Sequence, residues 1–277
     1  MDMKTAILSG YMFKIFSPKR KEAQYGWFGN YASWQDAASL AAGYDSHHIL
    51  QKTGEAILQV KNGTALYERD SVLFDKIEYP FPLISCLLRS AAILKRPIHV
   101  LDFGGSLGST YYQVKDFVGA DCCASWNIVE QEHYVNYGKE KIEDEHLKFY
   151  HSIDACLQDR NIDLILISSS VQYLQEPHLM LENFAGYNFD FIVFDRTAFH
   201  DQADDRLTLQ IVPPEIYEAS YPSWFFAEQK FLNHFKSSYK VVCELPSYLE
   251  GETVMFIDNQ PAGFNKGFYL INQSLHA

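Results

Sequence analysis

The stretch His99–Ser109, HVLDFGGSLGS, sets an acid, Asp102, just ahead of Gly104, Gly105 and Gly108. Ile98–Phe103 is an apolar run interrupted by His99 and Asp102, and sequence of helical character follows the glycines. The local reading is a strand, a tight turn and a helix start. Glycines in such a turn admit a ligand where a Cβ would block it, and the helix N-terminus presents unsatisfied N–H groups. Glu130 ends a second apolar run, Trp126–Glu130. An acid about 20 residues past the glycines can accept hydrogen bonds from both ribose hydroxyls of an adenosine. The plainer alternatives are a βα turn with no ligand and a solvated glutamate at a strand end.

Asp102 separates the two cofactor classes that use this geometry. A dinucleotide sets a pyrophosphate against the helix N-terminus, where a neighbouring carboxylate repels it. S-adenosylmethionine has no phosphate, and its ammonium and sulfonium are favoured by an acid. The run Asp102-Phe103-Gly104-Gly105-Ser106-Leu107-Gly108 resembles the first motif of class I methyltransferases, acid-x-Gly-x-Gly-x-Gly, with Ser106 in place of the middle glycine. A short-chain dehydrogenase would need a lysine four residues after its tyrosine to lower the phenol pKa, and Tyr173 has Pro177 there.

These residues need a sheet to position them. From Ile98 onward, short apolar runs alternate with helical or loop segments, which predicts an α/β fold with a mostly parallel sheet and helices on both faces. Seven strands are expected: Ile98–Phe103, Trp126–Glu130, Leu147–Tyr150, Ile162–Ser168, Phe189–Asp195, Lys240–Leu245 and Phe268–Ile271, with Val254–Ile257 as an eighth or an extension. Ligands of open α/β sheets bind beyond the carboxyl ends of the strands. Those ends read His151-Ser152-Ile153-Asp154, on the adenine side, then Ser168-Ser169-Ser170-Val171-Gln172-Tyr173-Leu174, on the methionine side, and Asp195-Arg196-Thr197-Ala198-Phe199-His200-Asp201.

Residues 1–95 lack this alternation and predict a helical cap on the substrate side. Its helices follow Ser33 as an N-cap, run from about His48 to Val60, and run from Leu83 to Leu94 after Pro82. Residues 96–277 form the Rossmann-like domain, with a proline- and aromatic-rich insertion around 198–230. Trp27, Tyr31 and Trp34 either line an acceptor pocket or pack the cap. His47 and His48 point to different helix faces with no third ligand, so no metal is expected.

The composition narrows the partners. Across 277 residues, 47% hydrophobic content supports a sizeable core, and a net charge of −12 disfavours a nucleic-acid backbone. No apolar stretch is long enough for a spanning helix, although the basic run within residues 1–21 allows weak peripheral membrane contact. Five cysteines without CxxC spacing predict reduced thiols in a cytoplasmic chain.

Taken together, DFGGSLGSTYYQ, WNIVEQ, HLKFY, LILISSSVQYL and FIVFDRTAF look like a group of class I methyltransferases associated with bacterial surface-polysaccharide gene clusters. The resemblance implies S-adenosyl-L-methionine as cofactor, S-adenosyl-L-homocysteine as product, and O- or N-methylation of a glycan, sugar nucleotide or other small polar acceptor. Its cofactor positions fall on Asp102, Gly104, Gly105, Ser106, Gly108, Glu130, Gln131, Ser152, Ile153, Ser169 and Ser170. On the substrate side, His200 is the candidate base with Asp195 as its partner. Arg196 either binds an anionic group or pairs with Asp201, Asp204 or Asp205. Tyr173, Tyr217, Tyr221 and Trp224 either stack on sugar faces or form a packed lid. The rival readings are a non-catalytic nucleotide-binding module and a nicotinamide-dependent oxidoreductase.

Overall fold

Apolar runs such as Leu164–Ile167 are buried on both sides, with Leu164 and Leu166 in one core cluster and Ile165 and Ile167 in another. That is how a strand covered on each face reads. The computed structural model describes residues 25–41, 46–214, 216–249 and 251–276. The basic run with its expected membrane contact lies outside the described residues, as do the side chains of His47 and His48.

In chain order the strands are β1 (Gly26–Phe28), β2 (Tyr67–Arg69), β3 (Val72–Phe74), β4 (Ile98–Phe103), β5 (Cys123–Val129), β6 (Leu147–Tyr150), β7 (Leu164–Ser168), β8 (Phe191–His200), β9 (Arg206–Ile211), β10 (Ser220–Ala227), β11 (Tyr239–Pro246), β12 (Met255–Ile257) and β13 (Gln260–Asn272). The helices are α1 (Trp34–Ser39), α2 (Ser46–Lys61), α3 (Phe81–Leu94), α4 (Ser109–Val118), α5 (Glu132–Tyr137), α6 (Ile153–Asp159), α7 (Pro177–Gly186) and α8 (Glu228–Asn233).

Strands β6-β5-β4-β7-β8 pair in parallel in that order. This is the 3-2-1-4-5 arrangement of a doubly wound sheet, with its switch point between β4 and β7. Strand β13 then adds antiparallel to β8, and β11 adds antiparallel to β13. The seven expected strands are therefore neighbours, but the sheet has eleven strands rather than seven. Beyond the switch point β8 and β13 run on past the expected ends and close a six-strand ring, β8-β10-β9-β1-β12-β13. Ala198, Phe225, Met255 and Ile257 plug it, with Trp27 packed against them.

The N-terminal stretch carries strands as well as helices. Strand β1 is part of the ring, and β2 and β3 form a hairpin paired only with itself. Ser33 caps α1 through its hydroxyl, which accepts from the Asp36 N–H at 3.1 Å. The abundant phenylalanine has a structural use: Phe194, Phe199, Phe226, Phe231, Phe235 and Phe268 build the core beneath α8, with Phe194 and Phe231 centroids 4.8 Å apart.

Candidate active site

A cavity of about 950 Å³ opens at the carboxyl ends of β4, β5 and β7 and continues into the mouth of the ring. At its sheet end the glycine turn needs its residue types. Gly104 (φ +74°) faces Ser170 so closely that a Cβ would stand 2.6 Å from the serine Cβ. A Cβ on Gly105 would stand 2.5 Å from the Asp102 carboxyl carbon. Both approaches are open only to glycine. Ser106 occupies the left-handed region at φ +53°, doing with strain what the motif's middle glycine does freely. Gly108 caps α4 at φ +98° but packs toward Leu147 and Ile128, outside the cavity lining.

Two acids flank the turn. Asp102, 1% exposed, accepts from Trp126 Nε1 at 3.0 Å, and burial pushes its carboxyl up to about 7. Glu130 is also pushed up by burial, opposed by the N–H groups of Gln131, at 2.7 Å, and Ser106. No lysine or arginine lies between Asp102 and Thr110. Over the turn hangs the β2–β3 hairpin, where buried Glu68 accepts from Ser109 Oγ and from the Ser71 N–H and is pushed up to about 7 by desolvation.

Where sheet meets ring, the strands bulge. Thr197 faces Lys266 and Phe194 faces Phe268, so Asp195 and Arg196 together oppose the single residue Gly267. Arg196 sits at φ +48°, and a Cβ on Gly267 would stand 2.0 Å from the Phe194 carbonyl oxygen. Successive strand residues normally point to opposite faces; the bulge lets both Asp195 and Arg196 line the cavity. Asp195 accepts from Ser168 Oγ at 2.9 Å, and burial raises its pKa while Arg196 opposes the rise. Arg196 forks onto Glu252, with Nε at 3.0 and 3.1 Å and a terminal nitrogen at 2.6 Å.

No family model matches the sequence, and no curated protein matches it. Solved structures do overlap it. An S-adenosylmethionine-dependent methyltransferase from Clostridium acetobutylicum covers 71% of this chain and 92% of its own at 9% identity, with a TM-score of 0.43. The N-terminal domain of EvdMO1, in the presence of S-adenosylhomocysteine and D-fucose, covers 83% and 97% at 12% identity and TM-score 0.44. The 1,6-didemethyltoxoflavin-N1-methyltransferase of Burkholderia thailandensis covers 83% and 90% at 12% identity and TM-score 0.41. What the site can do is therefore read from its own geometry.

That geometry gathers Asp102, Gly104, Gly105, Ser106, Glu130, Gln131, Ser169 and Ser170 around one end of the cavity, with Tyr173, Asp195, Arg196, Tyr217 and Tyr221 farther along. Six expected positions fall elsewhere or act otherwise, Gly108 at the start of α4 among them. His200 lies inside β8, paired with Ala227 and away from the cavity lining, because the strand continues through the bulge instead of ending at Asp195. Burial lowers its pKa, and its Nε2 has no hydrogen-bond partner. Ser152 caps α6 by accepting from the Ala155 N–H at 3.1 Å, and Ile153 is core. Trp224 donates Nε1 to the Leu174 carbonyl at 3.1 Å as a packing residue. Arg196 is spoken for by Glu252 rather than by Asp201, Asp204 or Asp205.

Beyond the stretches the sequence singles out, Arg69 and Asp70 on the hairpin and Gln210, Ser223 and Asn265 around the ring mouth also line the cavity. The signal for the ring residues was the alternation of Leu207 and Leu209 with Thr208 and Gln210, a strand pattern set within a stretch that reads as insertion. Trp27 and Trp34 do line the cavity.

Proposed function

We propose that this protein is an S-adenosylmethionine-dependent methyltransferase acting on a small polar acceptor. The observation that carries the reading is the seat of the Asp102 carboxyl against Gly105, with Glu130 at the neighbouring strand end and no basic residue in the turn. This charge pattern repels a pyrophosphate and suits a ribose diol and a cationic methionine end. The shaped cradle of Gly104, Gly105 and Ser106 fits the group, with Asp102, Glu130 and Gln131 as its polar holders. When bound, the cofactor supplies a methyl group already activated on a sulfonium.

The chain's own contribution is then positioning and proton handling. Asp195 is the group placed to take a proton from an acceptor hydroxyl or amine. Its burial raises the pKa above the ordinary carboxylate value, and Ser168 holds one carboxylate oxygen in place. The N-terminal stretch works on the substrate side, a role supported by Trp27, Trp34 and Arg69 on the cavity wall. A glycan or glycan precursor as acceptor is supported by the rings of Tyr173 and Tyr221, which meet edge-to-face at 5.2 Å beside Tyr217.

Isothermal titration tests the reading directly. S-adenosylhomocysteine is expected to bind and NAD to give no heat; the reverse result overturns the cofactor class.

A further inference from the structure

The ring mouth holds several polar atoms that fold without partners. Gln172 Oε1, Gln210 Oε1, Ser223 Oγ and Asn265 Oδ1 all lack a hydrogen bond, and all four residues line the cavity. Gln172 is 2% exposed, Ser223 1% and Asn265 7%. Leaving buried acceptors unpaired costs stability, so a cluster of them around one opening calls for an explanation.

The neighbours fix which end of the Gln172 and Asn265 amides is free. Gln172 Nε2 donates to Ser169 Oγ at 3.2 Å, so its oxygen is left over. The Asn265 amide donates to the Glu252 carboxylate, which likewise leaves Oδ1. The ring register brings the others together: Gln210 faces Tyr221 on β10 and Trp27 on β1, Ser223 faces Thr208, and Asn265 faces Ala198. The orphans thus come from three strands of the ring and from the turn over its sheet side, and they are mostly acceptors.

The charges in the same chamber point the same way. Asp70, Asp195 and Glu252 line it against Arg69 and Arg196. Glu252 engages Arg196 through both Nε and a terminal nitrogen, and Arg69 lies 3.6 Å from Glu78 with its guanidinium over the Phe74 ring at 5.1 Å. Arg196 is closed by Glu252, whereas Arg69 Nη1 makes no hydrogen bond, so one guanidinium faces the carboxylates of Asp70, Asp195 and Glu252 and is outnumbered by them. An anion in this chamber would meet carboxylates and carbonyl oxygens.

We propose that the ring mouth is the acceptor subsite and that it takes a non-anionic ligand rich in hydrogen-bond donors, a neutral or amine-bearing polyol, held by the oxygens of Gln172, Gln210, Ser223 and Asn265. This rests on the methyltransferase reading for the word acceptor, and it sets uronates, sugar phosphates and sugar nucleotides apart as poor ligands.

Saturation-transfer NMR on the full chain, with and without S-adenosylhomocysteine, provides the test. The probes are methyl glycosides of glucose, galactose and mannose, their 2-amino counterparts, the matched uronic acids and the hexose 1-phosphates. Neutral or amine-bearing members are expected to bind and anionic ones to give no transfer. Gln172→Leu and Gln210→Leu should each weaken binding about tenfold, the scale of one lost hydrogen bond. Gln210→Leu should also keep or raise the melting temperature, because it removes an orphan acceptor, and a lower melting temperature would count against the assignment of that oxygen as unpartnered; Gln172→Leu is read by binding alone, since it also loses the Nε2 bond to Ser169. Anionic probes binding as well as neutral ones, no neutral or amine-bearing probe binding, or Leu variants with unchanged binding overturns the proposal. Loss of S-adenosylhomocysteine binding alone defeats the methyltransferase reading, and the arm without it still decides the chamber's ligand class.

Discussion

The two ends of the cavity are made in different ways. At the sheet end, Asp102 through Gly108 come from one βα unit, and each residue type answers a local demand: an acid at the strand end, no Cβ at Gly104 and Gly105, a left-handed backbone at Ser106 and Gly108. At the ring end, Trp27, Gln172, Gln210, Ser223 and Asn265 come from five separate segments and meet only because a sheet closes on itself. A site written inside one loop carries its chemistry in its spacing. One written by closure carries it in register, which spacing does not show.

The largest expected effect lies at the junction of the two ends. Asp195→Asn should lower methyl transfer about 10²–10⁴-fold, the range for a removed general base, with S-adenosylhomocysteine affinity nearly intact. Only the ionised carboxylate accepts a proton. Because burial raises the Asp195 pKa, the wild-type rate should fall as pH drops through a value above the ordinary carboxylate range. His200→Ala should leave turnover unchanged; a large loss there would move the chemistry to the far side of the ring and dissolve the contrast drawn above.

Next comes Gly267→Ala, whose methyl group meets the Phe194 carbonyl, a backbone atom that has no room to yield. Overpacking of this kind should cost about 3 kcal/mol, read from the denaturant midpoint. An unchanged midpoint would mean that the bulge relaxes and does not fix Asp195 and Arg196. Glu130→Ala acts at the sheet end alone and should weaken S-adenosylhomocysteine by about 1.5–3 kcal/mol by calorimetry, the range for hydrogen bonds to a charged group. If affinity is untouched, Glu130 only closes the Ser106 and Gln131 amides. The smallest change is Ser106→Gly. It relieves a left-handed serine but frees the unfolded chain, so thermal unfolding should show a gain of about 1 kcal/mol or less.

Legibility followed the same division. Strands β4 and β7 stand out because they carry apolar residues on both faces, β6 because Leu147 and Phe149 alternate with Lys148 and Tyr150, and the glycine turn because few other sequences satisfy its backbone. Asp195-Arg196-Thr197 interrupts the apolar run of β8, so the sequence pattern ends that strand at Asp195 and sets His200 beyond it, whereas the strand runs to His200. Pro222 disguises β10, since a proline within a run argues against a strand, and β1 has only three residues. The Arg196–Glu252 pair joins residues far apart in the chain, so sequence offered the nearer Asp201, Asp204 and Asp205 instead.

Strands β8 and β13 each belong to both the parallel sheet and the ring, and β1 from the N-terminal stretch completes the ring. The protein therefore offers no seam for dissection. A fragment beginning at residue 96 would lack β1 and expose the edges of β9 and β12, and one trimmed of residues 206–227 would lose β9 and β10 and leave the far half of β8 paired on one edge only. Bare strand edges recruit other chains. Deletion pieces of this protein should aggregate instead of reporting on half a site, and its two ends are best separated by point substitution.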